Sequence, residues 1–191
     1  TLWEKSFMNA DYKQDSSLKY FLQRFPDIFF IMYEPIVKIK QAPLEINTLI
    51  IGPLGIEIIH RIEAPEGAVI AAEDNKTWVI EGSTKTNFIS PWIALNRSET
   101  YVKSVLAKYG IDFPYKKVIL APENDFRSPV ERYHIDYIGK KEYWGWFEEK
   151  RRVRAPLKHQ QLKAAEVLVK HSQTSSIKRP EWDQEEDAFF R

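Results

Sequence analysis

The residues with the types and spacing for chemistry gather on two neighbouring apolar runs. Glu45 and Asn47 sit on the first, and Glu57, His60, Arg61 and Glu63 sit on the second. Carboxylates on adjacent strands are what metal-dependent phosphodiester cleavage requires. A hard dication takes anionic oxygen ligands, and a nearby Lys prepares the attacking water. Strand side chains repeat every two residues, so an acid and a base two positions apart share a face. Here Asn47 offers only a neutral amide oxygen, and His60 offers nitrogen, a poor match for Mg²⁺. Ile62, two residues further, holds neither proton nor charge. Glu57, Arg61 and Glu63 fall on the opposite strand face from His60. A bulge or a one-residue slip would bring Glu57 or Glu63 to the His60 side and partly rebuild an acidic site. The tight connection Gly52-Pro53-Leu54-Gly55 argues for a fixed register instead.

Other candidates carry plainer alternatives. His60 has the chemistry of a Zn²⁺ or Mn²⁺ ligand or a general base. With no Cys and no second His nearby, a hydrogen-bonded histidine is the preferred reading. Asn47 reads equally as a polar anchor in a pocket or as a satisfied buried amide. Lys150, Arg151, Arg152, Arg154 and Lys158 form the strongest basic cluster and are the candidate phosphate contacts. Glu148 and Glu149 precede them, so a solvated linker leading to a helix is preferred. The run Tyr143-Trp144-Gly145-Trp146-Phe147 could stack on bases or receive a partner, but a buried strand or strand corner is preferred. The acidic stretch 181–190, ending in Phe189-Phe190, reads as a docking peptide or, preferably, a mobile tail.

The elements that must position these residues follow from periodicity. A helix is expected over residues 2–25, with Phe7, Tyr20, Phe21 and Phe25 as its stripe, divided where Asp15 or Ser16 caps a second helix. Strands are expected over 28–40, 44–51 and 55–63, with Pro35 marking an edge or bulge, and over 69–71 and 77–80. Residues 85–89 read as loop. Ser90-Pro91 opens a helix whose apolar face is Trp92, Leu95, Val102, Val105, Leu106 and Tyr109, ended by Gly110. Residues 117–120 read as a central strand, and 130–147 as one or two further strands. A last helix covers 156–171, with Leu157, Gln161, Ala164, Ala165 and Leu168 on one side. The order implies an α/β fold with a central mixed β-sheet flanked by helices.

Within residues 44–120 the segment from Glu45 through Gly52-Pro53-Leu54-Gly55 to Ile56, followed by Gly67, Trp78 and Ser90-Pro91, resembles the nuclease-related (NERD) family. That resemblance implies a restriction-endonuclease-like core. The family's strand Asp falls on Asn47, and its Glu-x-Lys falls on His60-Arg61-Ile62. The Gly-Glu of the family's first helix has no counterpart near residues 2–17. The implied site of Glu45, Asn47, His60 and Ile62 is therefore vestigial.

Bulk properties agree with a single modest domain. The chain has 191 residues, 43% hydrophobic and 29% charged, with a net charge of +1, so polyanion binding would need a local patch. No Cys is present, which excludes disulfides and thiol catalysis and makes a reducing, cytoplasmic location the expectation. No signal peptide or membrane segment is legible, and Thr1 in place of Met raises the expectation of a preceding region. The expected organisation is a nuclease-like domain over 1–150, a basic linker and helix over 151–171, and a polar tail over 172–191. The expected function is a catalytically inactive module that binds or scaffolds an unidentified protein or nucleic-acid partner, without cofactor. Two alternatives stand beside it. One is a phosphodiesterase with a relocated acidic site, requiring Mg²⁺ or Mn²⁺. The other is a structural oligomerisation subunit.

Overall fold

The computed structural model describes residue 12 and residues 14–39 and 41–173. The expected helix over residues 2–11, the stripe residue Phe7 and the tail residues Trp182, Phe189 and Phe190 lie outside the described residues. Helix α1 (Ser16–Arg24) starts where Asp15 caps it, its carboxylate accepting from the Ser17 and Leu18 N–H groups at 2.8 and 3.0 Å.

Five strands form the central sheet in the order β1 (Phe30–Met32), β4 (Thr48–Gly52), β5 (Gly55–Arg61), β9 (Tyr115–Leu120) and β11 (Ile135–Ile138). The β1–β4 and β4–β5 pairs are antiparallel; β5–β9 and β9–β11 are parallel. Strands covered on both faces need apolar side chains at successive positions, and the runs in β4 and β5 supply them. Leu49, Ile51, Ile56, Ile58 and Ile119 face helices α2 (Pro91–Lys108) and α4 (His159–Lys170). Ile50, Ile59, Val118, Leu120 and Ile138 face α1 and α3 (Lys140–Arg152). The result is a three-layer α/β sandwich around a five-stranded mixed sheet.

A second sheet, in the order β10 (Asp125–Arg127), β6 (Val69–Ala71), β7 (Thr77–Glu81), β8 (Lys85–Ile89), joins the α2 side through Trp78. The pair β2 (Ile36–Ile39) and β3 (Ala42–Glu45) stands apart.

The β4–β5 hairpin needs both its glycines. A Cβ on Gly52 would collide with the Phe29 ring. A Cβ on Gly55, whose φ is +153°, would lie 2.7 Å from the Pro114 carbonyl oxygen, and the Ile56 N–H donates to that same oxygen at 2.8 Å.

Several expectations are corrected. Residues 28–40 and 44–51 are each two strands, because Glu34 at φ 40° before Pro35, and the turn at Ile46-Asn47, break the pairing. Residues 85–89 are an edge strand, not a loop: β8 pairs with β7 along its length and keeps most of its side chains in solvent. Most of 130–147 is not strand. Only β11 is, and the aromatic run belongs to α3. Tyr143, Trp146, Phe147 and Lys150 recur at helical spacing, and Glu142 accepts from the Gly139 N–H at 3.1 Å to start the helix. Strand-favouring residue types concealed that period. Tyr109 is 37% exposed at the end of α2 and bonds His171, while Leu157 precedes α4 and is exposed; Ala165 is half-buried against the core, and Val167 is buried beside it. Among the described residues no helix is long and apolar enough to cross a membrane.

Candidate functional site

The carboxyl end of β5 opens into a crevice beneath the first turns of α1. On its α2 side, Asn47 immediately precedes β4 and His60 lies near the end of β5. The Asn47 side-chain amide and His60 Nδ1 are 3.0 Å apart. The Ser98 hydroxyl, from the middle of α2, has Asn47 Oδ1 at 2.8 Å and the Ala94 carbonyl at 3.0 Å as acceptors for its one proton, and it accepts from the Asn47 backbone N–H at 2.9 Å. With Oδ1 engaged by Ser98, the amide presents its N–H to the histidine. Nδ1 therefore accepts, and the neutral ring carries its proton on Nε2. Burial lowers the pKa of His60, which favours that neutral form.

This donor set does not fit a divalent metal. The Asn47 oxygen and His60 Nδ1 are both used in hydrogen bonds. Ile62 is 6% exposed and packs in the core, its N–H donating to the Leu120 carbonyl at 2.8 Å. Among the described residues no group of three or more His, Asp or Glu side chains is placed to share a metal ion.

The structure separates the other acids. The β4–β5 register runs unbroken from Thr48↔Ile59 to Gly52↔Gly55. Glu57 faces α3, on the side of the sheet away from His60. It is 8% exposed, with Lys150 Nζ at 2.7 Å and Lys116 Nζ at 3.4 Å. Glu63 lies beyond the end of β5, exposed, bonded to Arg61 at 2.8 Å and approached by the Ser16 hydroxyl at 3.4 Å. Glu45 ends β3 and lines the crevice with Glu34, Asn47 and His60.

The basic run is likewise divided, and its first part is not a linker. Lys150, Arg151 and Arg152 form the last turn of α3. Lys150 is buried against Glu57, 4.4 Å from the Trp146 ring centroid. Arg151 and Arg152 share Glu148 at 3.4 and 3.5 Å. Arg154 and Lys158 are exposed in the segment before α4. Of the five, four remain open to solvent.

Sequence reasoning missed the rest of the crevice. The Arg61 and Arg24 guanidiniums lie 4.8 and 4.5 Å from the Tyr20 ring centroid. The Tyr20 hydroxyl donates to that of Tyr143 at 2.8 Å, tying α1 to α3. Arg61 Nε is buried without a partner among the described residues. Two adjoining hollows, about 220 and 500 Å³, share Arg61. Four carboxylates (Glu34, Glu45, Glu63, Glu123) and two guanidiniums (Arg24, Arg61) line them. The only sequence signal was the position of Arg61 within the apolar run, beside His60. Comparisons with known protein families, with curated proteins and with solved structures find no match.

Proposed function

We propose that this chain is a non-catalytic, restriction-endonuclease-like module, similar to the nuclease-related (NERD) family, that binds a protein partner through the crevice at the carboxyl end of β5. The observation that carries the reading is the Asn47, His60 and Ser98 hydrogen-bonded set. In the family resemblance these positions would carry anionic groups; here Asn47 bonds Ser98 and His60 instead. Among the described residues lining the crevice, four carry carboxylates and two carry guanidiniums, so it offers a phosphate backbone no basic patch. The absence of Cys supports a cytoplasmic setting for the same module.

A nucleic-acid partner is the second reading, favoured by the exposure of Arg151, Arg152, Arg154 and Lys158. The test runs the purified chain with Mg²⁺ or Mn²⁺ on single- and double-stranded DNA and RNA, and measures binding at rising salt. The expected outcome is no cleavage and no binding whose logarithm falls steeply with salt. Chelator-sensitive cleavage that disappears in Glu57→Gln or Glu63→Gln would make the chain an enzyme with a relocated acidic site.

A further inference from the structure

Helix α3 turns Tyr143, Trp146, Phe147 and Lys150 toward the protein and leaves its other face in solvent. Trp144 stands on that outer face, 63% exposed, although tryptophan is among the largest apolar side chains. Gly145 follows it, and a Cβ added there would meet nothing within 4 Å. The two residues border an open hollow of about 500 Å³, whose other walls are Glu148, Glu149, Arg152 and Val153. An exposed tryptophan beside a gap in its own helix places a knob next to a space for one. A surface that carries both is complementary to itself, which is the condition for a two-fold interface.

Charge decides which way two such helices run. Lys140, Lys141 and Glu142 precede Trp144, Glu148 and Glu149 follow Gly145, and Arg151 and Arg152 make the last turn. Lys141, Trp144, Gly145, Glu148 and Arg152 fall along one stripe of helical spacing. Two parallel copies would set every charge level with itself, which repels. Two antiparallel copies, related by a two-fold axis between residues 144 and 145, set Lys141 level with Glu148 of the second copy and Trp144 level with its Gly145. Across that overlap, residues 140–149, two lysines and a glutamate in the first half meet two glutamates in the second half of the other copy. Lys141 is available for such a pair, since its nearest acid among the described residues is Asp125 at 4.0 Å. Arg151 and Arg152 overhang the start of the second helix, each keeping its own Glu148, at 3.4 and 3.5 Å. We propose that two copies of this chain pair through antiparallel α3 helices, Trp144 of each seated over Gly145 of the other and Lys141 of each facing Glu148 of the other. One pair of helices buries less than the roughly 1,000 Å² of a stable interface, so the dimer is reversible, with a dissociation constant of about 10 µM to 1 mM. None of these four residues lines the crevice, and the dimer does not rest on how the crevice is used.

The test is sedimentation equilibrium of the full chain over the range of about 10 µM to 1 mM. The expected result is a reversible monomer–dimer equilibrium that Trp144→Ser weakens about tenfold or more. Trp144 is exposed, so that variant keeps the fold, which an unchanged Tm in dilute solution checks. Lys141→Glu and Glu148→Lys each set like charges level on both sides of the two-fold axis, and each alone should weaken the dimer about tenfold or more. Mixing those two variants in equal amounts should restore it, because each then presents the opposite charge to the other at both contacts. A chain that stays monomeric throughout the range, a dimer indifferent to Trp144→Ser, or charge variants that dimerise as the parent does or fail to associate when mixed would overturn the proposal.

Discussion

His60 titrates differently in the fold than in the free chain. Its folded pKa lies below the ordinary 6.5 because burial penalises the charged ring. Below pH 6.5 the unfolded chain therefore binds a proton that the folded chain refuses, and stability rises with pH through that window. Acidification from pH 6.5 should destabilise the protein by up to about 1.4 kcal/mol per pH unit for this one group. The loss stops once pH falls below the folded pKa. Denaturant titrations at several pH values should show this slope, and His60→Gln should flatten it. Asn47→Asp should act in the opposite sense. A carboxylate in place of the amide that donates to Nδ1 would stabilise the charged ring and raise the His60 pKa, readable from the ring ¹H shifts. A His60 that titrates identically in both proteins would show that the Asn47 contact does not hold in solution.

At the scale of elements, the hairpin and α2 make the sharpest demands. Gly55→Ala sets a Cβ against the Pro114 carbonyl, which is backbone and anchored by the Ile56 N–H. The substitution should cost about 1–3 kcal/mol, measured by equilibrium unfolding. Leu106→Ala should cost about 2–5 kcal/mol, since Leu106 is buried against the sheet with Trp92, Leu95 and Val102. A loss under about 0.5 kcal/mol, the range of surface sites, would place that face in solvent. The helix boundaries were legible because Ser90, Pro91 and Gly110 are local signals. Helix α3 was not, because its stripe of Tyr143, Trp146 and Phe147 is built from residue types that also favour strands. Its starting signal, Glu142 reaching back to the Gly139 N–H, has no Ser, Thr, Asp or Asn at the cap.

For the whole molecule, the net charge is near zero and both signs occur at each end of the sheet. Carboxylates rim the crevice, while Arg151, Arg152, Arg154 and Lys158 lie at and beyond the end of α3. A metal ion stabilises a protein only when it binds the folded state better than the unfolded one. The Asn47, His60 and Ile62 positions do not provide that binding, so neither Mg²⁺ nor EDTA should move the Tm. A dose-dependent rise with Mg²⁺ or Mn²⁺, lost in Glu63→Gln, would point to a metal site at the end of β5.

What the sequence determined by itself was whatever depends on neighbours along the chain. The apolar runs and the Gly52 to Gly55 turn specified the antiparallel β4–β5 pair; the run at 117–120 specified a buried strand; the alternation of strands and helices specified an α/β sandwich. That Asn47, His60 and Ile62 carry no carboxylate was equally legible, because side-chain identity is local. The partners of those groups were not. Ser98 reaches Asn47 across 51 positions of sequence, and Lys150 reaches Glu57 across 93, only once α2 and α3 have packed on opposite faces of the sheet. Packing also decided that Lys150 leaves the basic run for the interior, that Arg61 meets Tyr20, and that one oxygen of Glu57 is buried unpaired among the described residues. Periodicity states which way a side chain points, but what it meets there is set by the docking of whole elements, whose energetics are spread over the many apolar contacts of two cores.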